Sequence, residues 1–281
     1  MHARATAVAV IAGLPLFAAA AVEAPGRTAI ARASEPVARA AVPPTSDPRL
    51  VAWGGVEEAR RWARRRAGTV AFAVLSPGGA IHGLQFDRRF PSASVVKAML
   101  ALAVLRDARN RDLTASERGL LWPMITVSDN NAASTIYRRV GGAGLYRVAH
   151  AARMTRFVDV GNWADAQLTA ADQARLFVQI DRLAPLRHRA YLRYLLGSIV
   201  SWQRWGIAPV AQEFGFAIMF KGGWRTAIAH QVALLERDGT RVSLAVLTSG
   251  TPSDAYGRET QAGIAARVLA GLPRRGARGR S

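Results

Sequence analysis

The sequence predicts a mixed α/β (α+β) fold, in which helices near both ends of the chain flank one antiparallel sheet. Two strand-like segments lie early in the chain, and the three-residue turn Pro77-Gly78-Gly79 joins them as a hairpin. A long stretch with helical periodicity follows, over about 91–212. Three further segments then alternate with the period of a strand, ahead of a last helix. Because strands and helices do not alternate one by one, we expect an all-helical subdomain inserted after the second strand.

The elements ahead of the helical block follow from simple patterns. A basic, periodic segment ended by Gly68 predicts a helix, and β-branched and aromatic residues predict the two strands. An Ala/Leu-rich run too long for a strand predicts a buried helix. In order, these elements are a helix over 48–67, strands over 69–76 and 80–86, and the buried helix over 90–105.

The later elements are marked by caps and turns. Thr114 and Glu117 have the spacing of a capping box, and Asp238-Gly239 is typical of a hairpin turn. The predicted helices start at 114, cover 131–140 and 145–154, run from 169 to about 183 and from 186 to about 202, and end with 255–270. The predicted late strands are 216–224, 230–237 and 241–249.

The composition limits the classes of function. The chain has 281 residues, no cysteine and a formal net charge of +19. Without cysteine, disulfides, thiolate metal sites and a lipid-modified cysteine are excluded. None of the five histidines has a paired metal spacing, so we expect no metal and no cofactor. The positive charge is compatible with electrostatic association with an anionic cell wall or membrane surface. The simpler interpretation is an Arg-rich composition that places arginine on every exposed face. No nucleic-acid-binding motif accompanies the charge, so we expect no nucleic-acid partner. We also expect the protein to be a monomer.

The ends of the chain predict an exported protein. Residues 1–24 combine a short basic start, an apolar stretch and small residues, which is the pattern of a secretory signal peptide. An uncleaved membrane anchor is less favoured, because Gly13 and Pro15 interrupt a barely sufficient length. We therefore expect a flexible Ala/Pro/Arg linker over 25–47, one domain over 48–272 and a basic disordered tail over 273–281.

Ser94 and Lys97 form the first candidate site. They lie three residues apart at the start of the predicted buried helix, so their side chains share a face and a hydroxyl can meet an amine. Of 38 basic residues only Lys97 and Lys221 are lysines. Arginine stays protonated, whereas a desolvated lysine can lose its proton and act as a base. The spacing alone fits a helix start with a solvated lysine better, but the apolar run that follows favours a nucleophile beside a base.

Two further motifs follow in a fixed order. Ser128-Asp129-Asn130 lies in the helical block, and Lys221-Gly222-Gly223 lies at the end of the first late strand. With Ser94-x-x-Lys97 they give the order S-x-x-K, S-D-N, K-x-G, and both lysines fall within these motifs. Over about residues 48–272, the chain resembles the serine penicillin-recognising enzymes, and class A β-lactamases most closely.

This resemblance implies a β-lactamase/transpeptidase-like fold and a role for each matching residue. Ser94 would be the acylated nucleophile, Lys97 its base, and Ser128 the proton relay to the leaving nitrogen. The backbone N–H groups of Ser94 and Trp224 would stabilise the oxyanion. The remaining implied assignments are Asn130 and Lys221 to substrate binding, with Gly223 and Trp224 beside them, and Asp129 to a structural role in its loop.

The sequence departs from the family pattern in two places. The usual K-T-G or K-S-G is Lys221-Gly222-Gly223 here, so a hydroxyl that holds the substrate carboxylate is missing, and Arg225 is the candidate to compensate. The family's E-x-x-L-N segment, whose Glu activates the deacylating water, is also absent, and no Glu occurs between Glu117 and Glu213. Asp159 and Asp165 are the candidate deacylation bases, although for each a solvated loop position is the simpler interpretation.

Three functions remain open. The first is a secreted β-lactamase-type hydrolase that opens β-lactam amides through an acyl-Ser94 intermediate, with slow deacylation. The second is a penicillin-binding D,D-peptidase, or a cell-wall amidase or esterase, acting on D-Ala-type peptides. The third is a non-catalytic wall-binding module, which the retained Ser94, Lys97, Ser128 and Lys221 disfavour. Other serine hydrolases are disfavoured because the chain has no G-x-S-x-G motif.

Overall fold

The computed structural model describes residues 53–272. The predicted signal peptide, the linker, the first residues of the N-terminal helix and the basic tail lie outside the described residues. The predicted domain boundaries therefore stay predictions.

Helices and strands follow one another much as the sequence predicts. The helices are α1 Trp53–Arg64, α2 Lys97–Asp107, α3 Ala115–Thr126, α4 Asn130–Ala151, α5 Ala170–Phe177, α6 Ile180–Leu183, α7 Leu186–Gly197, α8 Ile207–Glu213 and α9 Asp254–Ala270. The strands are β1 Thr69–Leu75, β2 His82–Leu84, β3 Arg89–Pro91, β4 Gln167–Thr169, β5 Ala217–Arg225, β6 Ile228–Arg237 and β7 Thr240–Ser249.

The main sheet has five strands in the order β2-β1-β7-β6-β5, and every neighbouring pair is antiparallel. Side chains alternate between its two faces. On one face Thr248 and Ala229 lie against Gly257 of α9, and on the other the Ser243 hydroxyl donates to the carbonyl of Ala174 in α5, at 2.8 Å. The sheet therefore lies between the C-terminal helix and the helical block. The predicted fold class is confirmed.

The buried helix α2 connects the sheet to the helical block. Every residue from Lys97 to Leu105 is buried, and a single turn of 3-10 helix, Ala93–Val96, precedes it. The helix begins later than the predicted 90, because Arg89–Pro91 forms β3 and pairs with β4 in a separate two-stranded sheet. Both strands have only three residues, which is too short for an alternating pattern to show in the sequence.

Most other predicted boundaries agree, and the differences have local causes. The capping box of Thr114 and Glu117 is present in both directions, and Asp238-Gly239 turns β6 into β7 with positive φ at both residues. The helices predicted at 131–140 and 145–154 are the two halves of α4, which breaks at Gly141, where φ is 60°. The helix predicted from 169 to 183 divides into α5 and α6, and the one predicted to 202 ends at Gly197.

One helix was missed. Residues 207–213, at the end of the predicted helical block, form α8, for which no separate helix was predicted. Its two turns are too short to show a clear helical period. Among the described residues, no helix combines the length and the apolar character needed to cross a membrane.

Candidate active site

The turn that carries Ser94 is held in an unusual conformation. Ala93, directly before it, has φ of 44°, a region that non-glycine residues rarely occupy. Ser92 fixes this turn to the loop ahead of β4: its N–H donates to the Ala166 carbonyl at 2.8 Å, and its hydroxyl donates to the Trp163 carbonyl at 2.8 Å. Such strained residues persist only where the surroundings hold them, and they cluster at functional sites.

Strand β5 lies directly against this turn. A Cβ atom on Gly223 would come within 2.7 Å of the Ser94 backbone nitrogen and 2.9 Å of the Val95 nitrogen. Position 223 must therefore be glycine if the strand is to reach the turn. Because β5 is an edge strand, every second residue directs its N–H away from β6. The predicted oxyanion donors, Ser94 and Trp224, thus sit on two backbones in close contact.

The Lys97 amine is placed for proton transfer with the second motif. Its Nζ donates to the Ser128 carbonyl at 2.6 Å, to the Ser128 hydroxyl at 3.2 Å and to Asn130 Oδ1 at 2.7 Å. Asp129, which lies between Ser128 and Asn130 in the sequence, accepts a hydrogen bond from the Ala132 N–H and so caps α4. This is the structural role expected for Asp129. Within residues 53–272, Ser94 is not a hydrogen-bond partner of this amine, although it lies on the adjoining turn.

Burial makes Lys97 a usable base. Its side chain is fully buried, and the Trp163 ring covers the amine with its centroid 4.8 Å away. Desolvation lowers the pKa of Lys97 from 10.5 to about 7, while the nearby Asp129 carboxylate partly offsets this. Near neutral pH, a large fraction of this amine is therefore unprotonated.

The Ser128 hydroxyl lies between the two lysines of the chain. Lys97 and Lys221 both donate to it, Lys221 Nζ at 3.0 Å, and Lys221 also donates to the Gly222 carbonyl at 2.9 Å. Ser128 itself has φ of 62°, so its backbone is also strained. Burial, followed by the proximity of Lys97, lowers the pKa of Lys221 well below its usual value. The three groups form one hydrogen-bonded chain along which protons can move.

His230 supports β5 and the Ser94 turn from behind. It is paired with Gly223 across the β5–β6 ladder. Its Nδ1 accepts from the Thr248 N–H at 3.2 Å, so Nε2 carries the proton and donates to the Pro91 carbonyl at 2.9 Å. Complete burial lowers the pKa of His230 to about 4. This histidine is therefore neutral and anchors strand β3 to the main sheet.

The two candidate deacylation bases have different surroundings. Asp159 accepts from the Tyr137 hydroxyl at 2.9 and 3.0 Å; burial and then Asp159 raise the pKa of Tyr137 to about 12. Asp165 accepts from Arg225 at 2.6 Å and from Asn162 Nδ2 at 2.7 Å. Asp165 and Arg225 thus pair with each other, and they come from the loop ahead of β4 and from the end of β5.

Two tryptophans near the motifs were missed by sequence reasoning. Trp163, besides covering Lys97, donates from Nε1 to the Ser134 hydroxyl at 3.1 Å. The Trp205 ring lies 3.1 to 3.2 Å from the position of a Cβ on Gly222, so a Thr or Ser there would displace it. The contact with Trp205 thereby explains why position 222 is glycine and not Thr or Ser. The only available signal was the presence of tryptophan in two short loops.

Trp224 belongs to an aromatic cluster on the other face of β5. Its ring meets those of Trp202 and Trp205 edge to face, with centroids 6.0 Å apart in both pairs. Alternation along β5 directs Lys221, Gly223 and Arg225 toward the Ser94 turn, and Gly222 and Trp224 away from it. The side chain of Trp224 therefore packs with Trp202 and Trp205, while its backbone is the part that lies near Ser94.

The comparisons with known proteins agree with the motifs. The model of the beta-lactamase enzyme family matches residues 112–272, which is more than half of the chain. A β-lactamase from Sphaerobacter thermophilus has 22% identity and a TM-score of 0.69, over 79% of this chain and 99% of that chain. An ancestral class A β-lactamase has 21% identity and a TM-score of 0.64, over 78% and 100%.

A third solved structure is a PBP-A variant captured as an acyl-enzyme complex with penicillin G. It has 18% identity and a TM-score of 0.64, over 77% of this chain and 94% of that chain. A search of curated proteins found no matching sequence. At these identities the solved structures show the shared fold, and the match to the family model shows the family. The chain belongs to the beta-lactamase enzyme family.

Proposed function

We propose that the protein is a serine hydrolase that opens β-lactam amides through an acyl-Ser94 intermediate and deacylates slowly. The observation that carries the proposal is the Lys97 amine, which is buried beside the Ser94 turn and hydrogen-bonded to Ser128 and Asn130. A desolvated amine with a pKa of about 7 suits a general base that works at neutral pH. A purely structural lysine would need neither the strained turn nor the link to Ser128.

In the proposed acylation, the Ser94 oxygen attacks the amide carbonyl carbon while its proton passes to Lys97. The N–H groups of Ser94 and Trp224 stabilise the oxyanion that forms. The C–N bond then breaks, and the leaving nitrogen takes the proton of the Ser128 hydroxyl. Ser128 regains a proton from Lys97, to which it is already hydrogen-bonded at 3.2 Å.

Lys221 supports this transfer more than it supports carboxylate binding. It is fully buried, and its amine donates to Ser128 and Gly222. Two charged amines around one hydroxyl would repel each other, so the pair favours a state in which at least one is neutral. Position 222 has no hydroxyl, and Arg225 is neutralised by Asp165. We infer weak recognition of a substrate carboxylate and a correspondingly high KM.

Slow deacylation is proposed because neither aspartate is free to act as a base. Asp159 is bound to Tyr137, and Asp165 is bound to Arg225. Of the two, Asp165 is the better candidate, because its helical turn packs against the Ser94 turn. Its ion pair with Arg225 occupies one carboxylate oxygen. Loss of a general base worth roughly 10²–10⁴-fold corresponds to a deacylation barrier higher by about 3–5 kcal/mol.

A chromogenic cephalosporin separates the two steps. We expect a burst of about one equivalent per enzyme, followed by slow turnover. Asp165→Asn should slow the steady rate further and leave the burst unchanged, and Asp159→Asn serves as the matched control with little effect on either. Rapid linear turnover without a burst, unaffected by both substitutions, would contradict slow deacylation.

A penicillin-binding D,D-peptidase is the second candidate. The engagement of both aspartates by other side chains favours it, since an enzyme that transfers or slowly releases its acyl group does not need a dedicated water-activating carboxylate. Turnover of a D-Ala-D-Ala peptide faster than that of any β-lactam would support this function. The proposal also includes export from the cytoplasm, for which the support is the sequence pattern of residues 1–24.

A further inference from the structure

The loop ahead of β4 places a single buried side chain next to the candidate site. Val158 and Gln167 exchange two backbone hydrogen bonds, at 2.9 and 2.7 Å, and so close this loop at its base. From Val158 to Asp165, Trp163 is the one buried residue. Its helical turn packs against the turn that carries Ser94. The indole of Trp163 is therefore the part of the loop that enters the site.

This indole is fixed in position from two sides. Its Nε1 donates to the Ser134 hydroxyl at 3.1 Å, and the Trp163 carbonyl accepts from the Ser92 hydroxyl at 2.8 Å. Ser134 lies one turn along α4 from Asn130, so these two residues share a face of that helix. Asn130 in turn accepts from Lys97 Nζ at 2.7 Å. The ring and the amine therefore lie side by side against α4, and the ring cannot swing away without losing a hydrogen bond.

The ring takes the space that a water would need on its side of the amine. The ring centroid lies 4.8 Å from Lys97 Nζ. A base holds the water that it activates within hydrogen-bond reach, at roughly 2.8 Å. A water at that distance between the two groups would lie only about 2 Å from the ring centroid, well inside van der Waals contact at ~3.5 Å. Trp163 thus occupies the position in which Lys97 could otherwise activate a water.

The same arrangement leaves the groups used in acylation in contact. Lys97 Nζ still reaches the Ser128 hydroxyl at 3.2 Å, on which the proposed proton transfer depends. Water that arrives elsewhere along the loop meets two aspartates that are already bound, Asp159 to Tyr137 and Asp165 to Arg225. The ring therefore permits the first step and keeps the reactant of the second step away from the base.

We propose that Trp163 is a water-excluding residue, whose ring prolongs the life of the acyl-enzyme by keeping the hydrolytic water away from Lys97. This inference rests on the proposed acyl-Ser94 intermediate. In hydrolysis, the water oxygen bonds to the ester carbonyl carbon, a base takes the water proton, and the C–O bond to Ser94 breaks as its oxygen regains a proton. Closing a site to water protects a reactive intermediate from this reaction. The side chain at position 163 then decides whether the enzyme holds or releases its acyl group.

Three substitutions at position 163 test the effect of the ring. Trp163→Phe keeps a ring over the amine, Trp163→Ala removes it, and Trp163→Glu replaces it by a shorter side chain whose carboxylate can hold a water. The matched control, Trp62→Ala, removes a partly buried tryptophan that donates to the Thr260 carbonyl of α9, on the face of the sheet opposite the helical block. Each protein is acylated with benzylpenicillin, excess drug is removed, and loss of the adduct is followed by intact-protein mass spectrometry.

We expect the adduct of Trp163→Glu to decay roughly 10²–10⁴-fold faster than that of the wild type, which is the range for a positioned general base. Trp163→Ala should show a smaller acceleration, because water then reaches Lys97 but meets no new carboxylate. Trp163→Phe and Trp62→Ala should decay at the wild-type rate.

The acylation rate should change in the opposite direction in Trp163→Ala. Once water reaches the Lys97 amine, its pKa rises, so the burst rate with a chromogenic cephalosporin falls at pH 7 and its pH profile moves to higher pH. A residue that only supports the fold would slow both steps when it is removed.

An acylated Trp163→Ala whose adduct lasts as long as that of the wild type would overturn the inference, and so would equal acceleration in Trp62→Ala. If Trp163→Ala does not fold, the other two variants decide: a wild-type lifetime in acylated Trp163→Glu, or rapid decay in Trp163→Phe, overturns it. A wild type that is never acylated contradicts the proposed function itself. A labelled wild type with unchanged lifetimes in the position-163 variants contradicts this inference alone.

Discussion

The rate of acylation should follow the protonation state of the Lys97 amine. With a pKa of about 7, about half of the amine is unprotonated at pH 7, whereas a free lysine with its pKa near 10.4 would be unprotonated in only ~4 molecules in 10⁴. Burial under Trp163 therefore raises the concentration of active base by roughly 10³-fold. Because acid protonates the Lys97 amine and removes the active base, the acylation rate falls as pH falls.

The assay is a stopped-flow measurement of the burst rate with a chromogenic cephalosporin, from about pH 5 to pH 9. We expect the rate to fall about tenfold per unit below about pH 7 and to level off above it. Lys97→Arg should lose roughly 10²–10⁴-fold, whereas Lys221→Arg, which retains a cation beside Ser128, should lose less. A flat profile between pH 5 and pH 8, or wild-type rates in Lys97→Arg, would refute the assignment of Lys97 as the base.

Three further predictions concern the scaffold. Gly223→Ala should push β5 away from Ser94 and reduce the acylation rate at least about tenfold, with a small change in melting temperature, because its Cβ would meet the Ser94 nitrogen at 2.7 Å. The buried, neutral His230, with its pKa lowered to about 4, should give a free energy of unfolding that falls by about 3 kcal/mol as pH drops from 6.5 to 4; His230→Gln should flatten that part of a denaturation series. Asp181 and Arg241 form a buried ion pair. Asp181→Ala would remove one carboxylate from the buried Arg241, and we expect the free energy of unfolding, measured in urea, to fall by about 3 kcal/mol; a fall below about 1 kcal/mol would contradict the structural role of this ion pair.

The motif residues could be placed from the sequence because their chemistry is local. Ser94 and Lys97 share one helical turn, and the scarcity of lysine singled out Lys97 and Lys221. That Lys97, Ser128 and Lys221 belong to one site was implied only by the family resemblance, since nothing local brings residues 97, 128 and 221 together. The hydrogen bonds from both amines to Ser128 come from the structure. The fold class could be predicted because strand and helix periods differ strongly over long segments.

The parts that the sequence did not predict depend on contacts between distant residues. Trp163 lies over Lys97 because β4 pairs with β3, and strands of three residues leave no periodic pattern. Trp205 fills the space beside Gly222 because its loop folds against β5. The pairing of Asp165 with Arg225 joins residues 60 positions apart. Asp165 and Arg225 were both candidates from the sequence, but their pairing with each other and the contacts of the two tryptophans had to be read from the structure.

Intact-protein mass spectrometry with benzylpenicillin tests the central claim most directly. Wild-type protein mixed with excess drug should gain the mass of one benzylpenicillin within the first turnover, on a peptide that contains Ser94. The adduct should persist while free drug remains, because deacylation is slower than acylation. Ser94→Ala should show no adduct, and Ser92→Ala, changed two residues earlier in the chain, should still be labelled. An unlabelled wild type, or an adduct that maps to Ser128 or survives in Ser94→Ala, would contradict the account.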